Sequence, residues 1–185
     1  MKKQKVEITD ISGHGTGVGK MPDGRIVFVP FTAPGDQVCI EETKASKRFV
    51  EAKAIEFMFE SPLRVSPRCP VFGVCGGCDY QHIKYDLQWK TKVKLVKECL
   101  GRQQIQIASI EEIPADVVWN YRNRIHLKIN AEQVGFHERM SHRLVPINNC
   151  DLADADINAK LNELINQSKA NDLLALPSEL NPAKS

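Results

Sequence analysis

The stretch GHGTGVGKMPDGRIVFVP, residues 13–30, admits two readings, and the choice between them decides the fold. Gly13, Gly15, Gly17 and Gly19 alternate as they could in a phosphate-cradling loop. Such a loop needs a helix directly after its glycines, because the helix N-terminus supplies the aligned N–H groups. Here Met21-Pro22-Asp23-Gly24 makes a turn and another extended run follows, so the glycines serve a tight bend and close backbone approach. Outward from this stretch, KVEITDIS, RIVFVPF, DQVCIEET and RFVEAKAIEFMF are short, rich in Val, Ile and Phe, and separated by Gly- and Pro-containing turns. Within DQVCIEET, Val38 and Ile40 fall on one face and Gln37, Cys39 and Glu41 on the other. This pattern predicts a small five-stranded β-barrel over residues 1–61, of a kind that presents a sheet face and loops to single-stranded nucleic acid.

Past the barrel, ESPLRVSPRCP carries Pro62, Pro67 and Pro70, which mark an extended linker and a boundary near residue 62. The second unit, residues 62–185, opens with CPVFGVCGGC, residues 69–78. Cys69, Cys75 and Cys78 with Gly76 and Gly77 between the last two form a loop in which thiolates can point at one centre and backbone N–H groups can face sulfur. Three thiolates do not close a four-ligand site. Cys99, next to Leu100 on a helix, reads as a small core residue. Cys150, in a loop after the last predicted strand, is freer to approach and is the expected fourth ligand. Cys39 is left as structural. One close pair plus a distant cysteine suits a 4Fe-4S cluster better than a zinc ribbon, with zinc as the alternative.

The net charge of +2 over 185 residues does not by itself announce a nucleic-acid binder, so the distribution of charge matters more. Lys and Arg outnumber Asp and Glu over residues 81–150, most densely in WKTKVKLVK, residues 89–97. On a helix at about residues 85–100, Lys90, Lys94 and Lys97 share a face while Trp89, Val93, Val96 and Leu100 form an apolar stripe. An amphipathic helix with a solvated basic back is favoured over a dedicated RNA contact. Strands are expected near 105–110, 124–130, 133–138 and 143–147. A helix with Ile157, Leu161, Leu164 and Ile165 on one face follows, then a Pro-containing tail. The second unit is thus a small mixed α/β domain.

Two resemblances extend this reading. Gly13-x-Gly15-x-Gly17-Val18-Gly19, Gly24-Arg25-Ile26-Val27-Phe28-Val29-Pro30 and Pro34-Gly35-Asp36-Gln37-Val38 resemble a TRAM domain, an OB-like RNA-binding barrel attached to several RNA-modifying enzymes. The resemblance implies RNA as partner, with Lys20, Arg25, Lys47 and Arg48 as phosphate contacts. The cysteine stretch with Gln81, His82, Tyr85, Gln88 and Lys90, then Tyr121-Arg122-Asn123, Gly135-Phe136-His137 and Cys150, is similar to the iron-sulfur region of TRAM-containing RNA (uracil-5-)-methyltransferases, the group that includes the ribosomal RNA enzymes. It implies that Cys69, Cys75, Cys78 and Cys150 hold a 4Fe-4S cluster and that the central domain grips RNA. Arg122 and Arg124 join the expected RNA contacts. His82, just past the cluster, is read as a hydrogen-bonding support and not as a catalytic residue.

The family's chemistry adds a cysteine thiolate to C6 of uracil, takes methyl from S-adenosylmethionine and removes the C5 proton. It needs a doubly wound domain with a Gly-rich turn, and no such turn, strand series or activated cysteine follows Cys150. The expectation is therefore a truncated, methyltransferase-related module, inactive alone, with no catalytic residue, and S-adenosylmethionine only in a complete enzyme or with a separate catalytic chain. The alternative is a zinc-stabilised, free-standing RNA-binding protein; a ferredoxin-type electron carrier is disfavoured by the barrel and the basic helix. A radical S-adenosylmethionine enzyme is disfavoured by its usual CxxxCxxC spacing and C-terminal barrel. No run is apolar and long enough for a secretory signal or a membrane span, so a cytoplasmic protein is expected, and a reducing compartment favours metal ligation over disulfides.

Overall fold

The structure, a computed structural model, describes residues 3–130 and 133–169; the Pro-containing tail lies outside the described residues. The chain forms two compact units, residues 1–68 with 79–114, and residues 69–78 with those from 115 onward. The units therefore do not follow a single cut at residue 62. The cysteine stretch and the basic helix, neighbours in sequence, fall into different units.

In the first unit, β1 (Gln4–Ile11), β2 (Gly17–Lys20), β3 (Ile26–Val29), β4 (Gln37–Ala45) and β5 (Phe49–Phe59) close into a barrel in the order β1, β2, β3, β5, β4. β3 and β5 run parallel, and the other neighbouring pairs are antiparallel. Period-2 alternation sends Val6, Ile8, Val27, Val29, Val38, Ile40 and Val50 into one core. Cys39, on the opposite face from Val38 and Ile40, is also buried, with its Sγ 3.9 Å from Met58 Sδ. The glycine run supplies the expected close approach and a strand as well. A Cβ on Gly17 would stand 2.0 Å from Thr32 Oγ1, and one on Gly19 would stand 2.6 Å from the Glu7 carbonyl oxygen.

One end of the barrel is fastened by Asp36, which is fully buried. Its carboxylate accepts from the Ala33 amide at 2.7 Å, the Ser61 amide at 2.8 Å and Arg64 Nη1 at 2.7 Å. The same Nη1 donates to the Phe31 carbonyl at 3.2 Å. Beyond the cysteine stretch the chain returns to the segment it left: the Val65 amide donates to His82 O at 3.0 Å and the Lys84 amide to Leu63 O at 3.1 Å.

Helix α1 (Tyr85–Arg102) then packs on the barrel through Leu87, which with Tyr80 lies against Ile11, Ala33 and Ile83. Thr91 is buried, and Leu95 approaches Gly13. The inward face is thus Leu87, Thr91 and Leu95, not the anticipated Trp89, Val93, Val96 and Leu100 stripe; Val96 is 51% exposed. Hydrophobic spacing alone was a poor guide because the face that turns inward is the one that meets Ile11, Gly13 and Ala33; Lys94 is also tied to Asp10 of β1. Cys99, expected in a core, is exposed. The strand expected at 105–110 does not form: Ile105 and Ile107 alternate with polar residues, but both are exposed and have no ladder partner among the described residues.

The second unit carries a three-stranded antiparallel sheet, β6 (Lys128–Ile129), β7 (Val134–His137) and β8 (Leu144–Pro146), and helix α2 (Ala155–Lys169). The strand expected over 124–130 is shortened to β6. Leu161 of α2 packs with Val134 and Ile147, and Leu164, Ile165, Val71, Leu127, Phe136 and Cys150 surround them. Three of the four residues of the helix face read from the sequence, Leu161, Leu164 and Ile165, therefore pack at this core. Gly135 is required at the centre of the sheet, where a Cβ would meet Val145 O at 2.0 Å.

Two glycines separate close approach from simple flexibility. Gly17→Ala is expected to destabilise the barrel by about 3 kcal/mol, because Thr32 and Ile8 leave no room for a methyl group. Gly101→Ala, in α1 with nothing within 4 Å, is expected to stabilise by about 0.5 kcal/mol. Urea denaturation of the two variants measures both signs.

Candidate metal centre and nucleic-acid interface

The cysteine loop is a chain of tight turns. The Phe72 amide donates to Cys69 O at 3.1 Å, the Cys75 amide to Val71 O at 2.9 Å, and the Gly77 amide to Cys75 Sγ at 3.4 Å. Gly73 takes φ 85°, a value that glycine adopts without strain. The loop is also stitched to the β7–β8 hairpin: the Gly76 amide donates to His137 O at 3.0 Å and the Arg139 amide to Val74 O at 3.1 Å. A Cβ on Gly76 would lie 3.2 Å from His137 O and 3.3 Å from Arg139 Cα, so the absence of a side chain lets the two backbones meet.

Cys150 belongs to the same unit and is held by a residue the sequence reading passed over. Asn158, in the first turns of α2 and buried, accepts from the Cys150 amide at 2.9 Å and donates 3.1 Å bonds to the carbonyls of Cys150, Ala153 and Asp154. Its only sequence signal is an Asn inside a helical pattern, where a side chain that competes for backbone groups is disfavoured unless a turn needs it. The segment before β6 is zipped to this turn, with the Arg122 amide donating to Leu152 O at 2.7 Å and the Asp154 amide to Arg122 O at 3.0 Å.

Cys69, Cys75, Cys78 and Cys150 are all free thiols of intermediate burial. Burial pushes the Cys69 and Cys75 thiols up, and the neighbouring Cys150 acts in the same direction on both. Cys69 adds to the effect on Cys75, while Arg122 opposes it. Cys69, Cys75 and Cys150 are therefore within electrostatic reach of one another. Among the described residues, no three His, Cys, Asp or Glu side chains converge as a ready metal site. Cys69, Cys75 and Cys150 are neighbours and not a closed shell, and a set of soft sulfur donors matches an iron-sulfur cluster or zinc in chemistry.

His82, just past the cysteine stretch in sequence, belongs to the barrel unit. It is 1% exposed, with Nε2 3.1 Å from the Thr32 carbonyl and its ring edge-on to Phe31 at 6.2 Å. Burial holds its pKa below the usual histidine range and Arg64 adds to this; the Thr32 bond, Asp36 and Asp79 oppose it.

The barrel cations gather around two turns. Lys20 is the ladder partner of Ile26, Arg25 reaches Ser46 O at 3.4 Å, and Lys47 and Arg48 occupy the turn between β4 and β5. Arg25 is also paired with Asp23 at 2.7 Å. Arg122 and Arg124 lie in the other unit, Arg122 half-buried and Arg124 exposed. On α1, Lys90, Lys94 and Lys97 line a shallow hollow of about 320 Å³ with Val93, Glu98 and Glu112. Lys94 is engaged by Asp10 and Glu98, and Lys97 by Glu112, so this face is largely neutralised.

Residues 2–55 match the TRAM domain family. The five-stranded closed barrel, Gln4 to Phe59, covers most of this span and runs slightly past it. Similarity extends well beyond it. The chain is 36% identical over 147 residues to a tRNA (uracil(54)-C(5))-methyltransferase of Pyrococcus abyssi, covering 77% of this chain and 35% of that protein. It is 32% identical over 165 residues to the 23S rRNA (uracil(1939)-C(5))-methyltransferase RlmD of Photorhabdus laumondii, covering 86% of this chain and 37% of that protein. The crystal structure of the Pyrococcus abyssi tRNA (uracil-54, C5)-methyltransferase with S-adenosyl-L-homocysteine superposes with a TM-score of 0.62 at 29% identity, covering 90% of this chain and 36% of that one. The chain carries a TRAM domain and is homologous to RNA uracil-C5-methyltransferases. It spans little more than a third of the length of these relatives.

Two measurements probe these residues. Asn158→Leu removes four hydrogen bonds and is expected to cost about 2–4 kcal/mol, read by chemical denaturation, with faster alkylation of Cys150. His82 is held neutral in the fold. As the pH falls below about 6.5 the unfolded chain takes up the proton first, so this residue's contribution to stability is complete above that pH and lost below it. The melting temperature is expected to drop between about pH 7.5 and about pH 5.5, and His82→Gln should flatten that part of the profile.

Proposed function

We propose that this chain is the RNA-binding, 4Fe-4S-carrying part of an S-adenosylmethionine-dependent RNA (uracil-5-)-methyltransferase, with ribosomal RNA as its partner. The observation that carries the reading is the TRAM barrel joined to a second unit that holds Cys69, Cys75, Cys78 and Cys150, within a similarity covering 86% of the chain. Lys20, Arg25, Lys47 and Arg48 on the barrel, and Arg122 and Arg124 in the second unit, serve as phosphate contacts that position RNA without reading its sequence.

In this reading Cys69, Cys75, Cys78 and Cys150 hold the cluster. When bound, the cluster supplies a sulfur-ligated cross-link between the loop at 69–78 and the turn at Cys150. Asn158 holds the Cys150 backbone in place, and the seam from Gly76 to His137 aligns the loop with the hairpin. The described residues form a closed barrel and a three-stranded antiparallel sheet, without a doubly wound parallel sheet. Methyl transfer is therefore assigned to a catalytic domain outside them, and S-adenosylmethionine enters only with that domain. No described helix is long and apolar enough to cross a membrane. The similarity to a tRNA enzyme makes tRNA the competing substrate.

The test measures iron, acid-labile sulfide and zinc per chain after anaerobic purification, for the wild type and for Cys150→Ser. About four irons and four sulfides are expected, lost on substitution. Zinc in their place overturns the cluster, and full iron in Cys150→Ser overturns the ligand set. Binding to a ribosomal RNA fragment is expected to weaken steeply with salt and to resist tRNA competitor. Failure to bind either RNA removes the RNA reading.

A further inference from the structure

Residues 79–84, which bring the chain back after the cysteine stretch, clasp the barrel unit at three places. At the β1–β2 loop, Tyr80 Oη donates to the carbonyls of Ser12 at 3.2 Å and Gly13 at 3.0 Å. Gly15 of the same loop lies so close to Asp79 that a Cβ there would stand 2.6 Å from the Asp79 carbonyl oxygen. At the turn after β3, the His82 ring meets Thr32 and Phe31. Along the segment leaving β5, Ile83 pairs with Arg64 in an antiparallel bridge, flanked by the Val65 and Lys84 amide bonds to His82 O and Leu63 O. Ile83 packs with Ile11, Ala33, Tyr80 and Leu87 in a cluster separate from the core inside the barrel. Two separate clusters allow one to open while the other holds.

At the centre of the clasp sits a group that titrates near neutral pH. His82 is 1% exposed. The Thr32 carbonyl can only accept, so the neutral ring carries its hydrogen on Nε2. Acid adds the second proton at Nδ1, which is closed off from solvent. The charged groups facing the ring are Arg64 from the segment leaving β5, Asp36 from the turn between β3 and β4, and Asp79 of the clasp itself; Phe31 and Thr32 add none. Arg64 repels an imidazolium. Asp36 would attract one, but its carboxylate already holds Arg64 and two backbone amides, and Asp79 acts more weakly than either. A second buried cation beside a fixed one is costly, and opening the clasp relieves that cost by letting water reach the ring.

We propose that residues 79–84 are a proton-operated clasp: uptake of a proton from solvent at His82 Nδ1 releases this segment, with the start of α1, from the barrel while the five strands stay closed. Release gives up the holds on Ser12, Gly13 and Thr32 and uncovers Ile11, Ile83 and Leu87. The open segment takes up the proton near the ordinary histidine value of about 6.5, so the closed form is favoured in full above that pH and loses ground below it. The clasp is independent of what the barrel binds. A lower melting temperature in acid would not by itself locate the opening in this segment.

Amide hydrogen exchange does locate it, measured residue by residue by NMR on the full chain, purified anaerobically, between about pH 5 and about pH 7.5. Rates are corrected for the intrinsic pH dependence of exchange. The Val65 and Lys84 amides report on the clasp, and the Ile8 amide, bonded to Asp36 O at 2.9 Å, reports on the barrel. Val65 and Lys84 are expected to be at least about tenfold less protected than Ile8, because they open without it. They are also expected to lose up to about tenfold in protection per pH unit below about 6.5. His82→Gln, whose side-chain amide can donate to Thr32 O but does not titrate, is expected to remove that slope. Equal protection of Val65, Lys84 and Ile8 overturns the proposal, because the clasp then opens only with the barrel. A wild type without the slope, or a folded His82→Gln that keeps it, overturns the proposal as well. The wild-type comparison needs no substituted protein, so a variant that fails to fold cannot hide the answer.

Discussion

Asp36 has no exposure to solvent, yet its carboxylate is satisfied by two backbone amides and the Arg64 guanidinium. An unpaired carboxylate in that position would be strongly unfavourable, so each partner must be delivered to it. Ala33 comes from the turn between β3 and β4, and Ser61 and Arg64 from the chain leaving β5. The one interaction thereby fixes where the barrel ends and in which direction the polypeptide departs. Arg64 also lies 4.6 Å over the Phe57 ring, and its neighbours Leu63 and Val65 receive the returning strand at residues 82–84. The cysteine stretch leaves and re-enters the barrel unit at one place because this staple holds both sides of the exit.

The second unit solves a different problem. Its sheet is short and its core small, so backbone hydrogen bonds between irregular segments carry much of the order. The cysteine loop borrows partners from the β7–β8 hairpin, and the Cys150 turn borrows them from Asn158. These seams bring Cys150 close enough to act on the Cys69 and Cys75 thiols. A cysteine loop arranged this way has its backbone held by hydrogen bonds to the hairpin, independently of its sulfurs.

Charge behaves contrary to its density in the sequence. The lysine-rich helix is the most conspicuous basic feature of the chain, yet Lys94 and Lys97 face Asp10, Glu98 and Glu112. Exposed pairs of this kind contribute little stability, but they do reduce the field available to a polyanion. The cations that stay available are the scattered ones on the barrel turns, Lys20, Lys47 and Arg48.

Local signals were legible wherever the chain's own chemistry settled the outcome. Alternation marked the barrel strands, the Met21-Pro22-Asp23-Gly24 turn excluded a phosphate loop, and Leu161, Leu164 and Ile165 marked the buried face of α2, because side-chain period and turn preference are properties of a few adjacent residues. The Ile105–Ile107 alternation made no strand, because a strand also needs a neighbour to pair with, and sequence periodicity does not supply one. The inward face of α1 depended on Ile11, Gly13 and Ala33, which are distant in sequence. The seating of His82 against Thr32, the hold of Asn158 on Cys150 and the pairing of Phe28 with Phe49 across two parallel strands are likewise long-range contacts. The sequence by itself determined which residues could be strand, turn or thiol donor. Only the tertiary structure decided which of them meet, since those meetings depend on closure of the barrel and on backbone groups that take partners from distant parts of the chain.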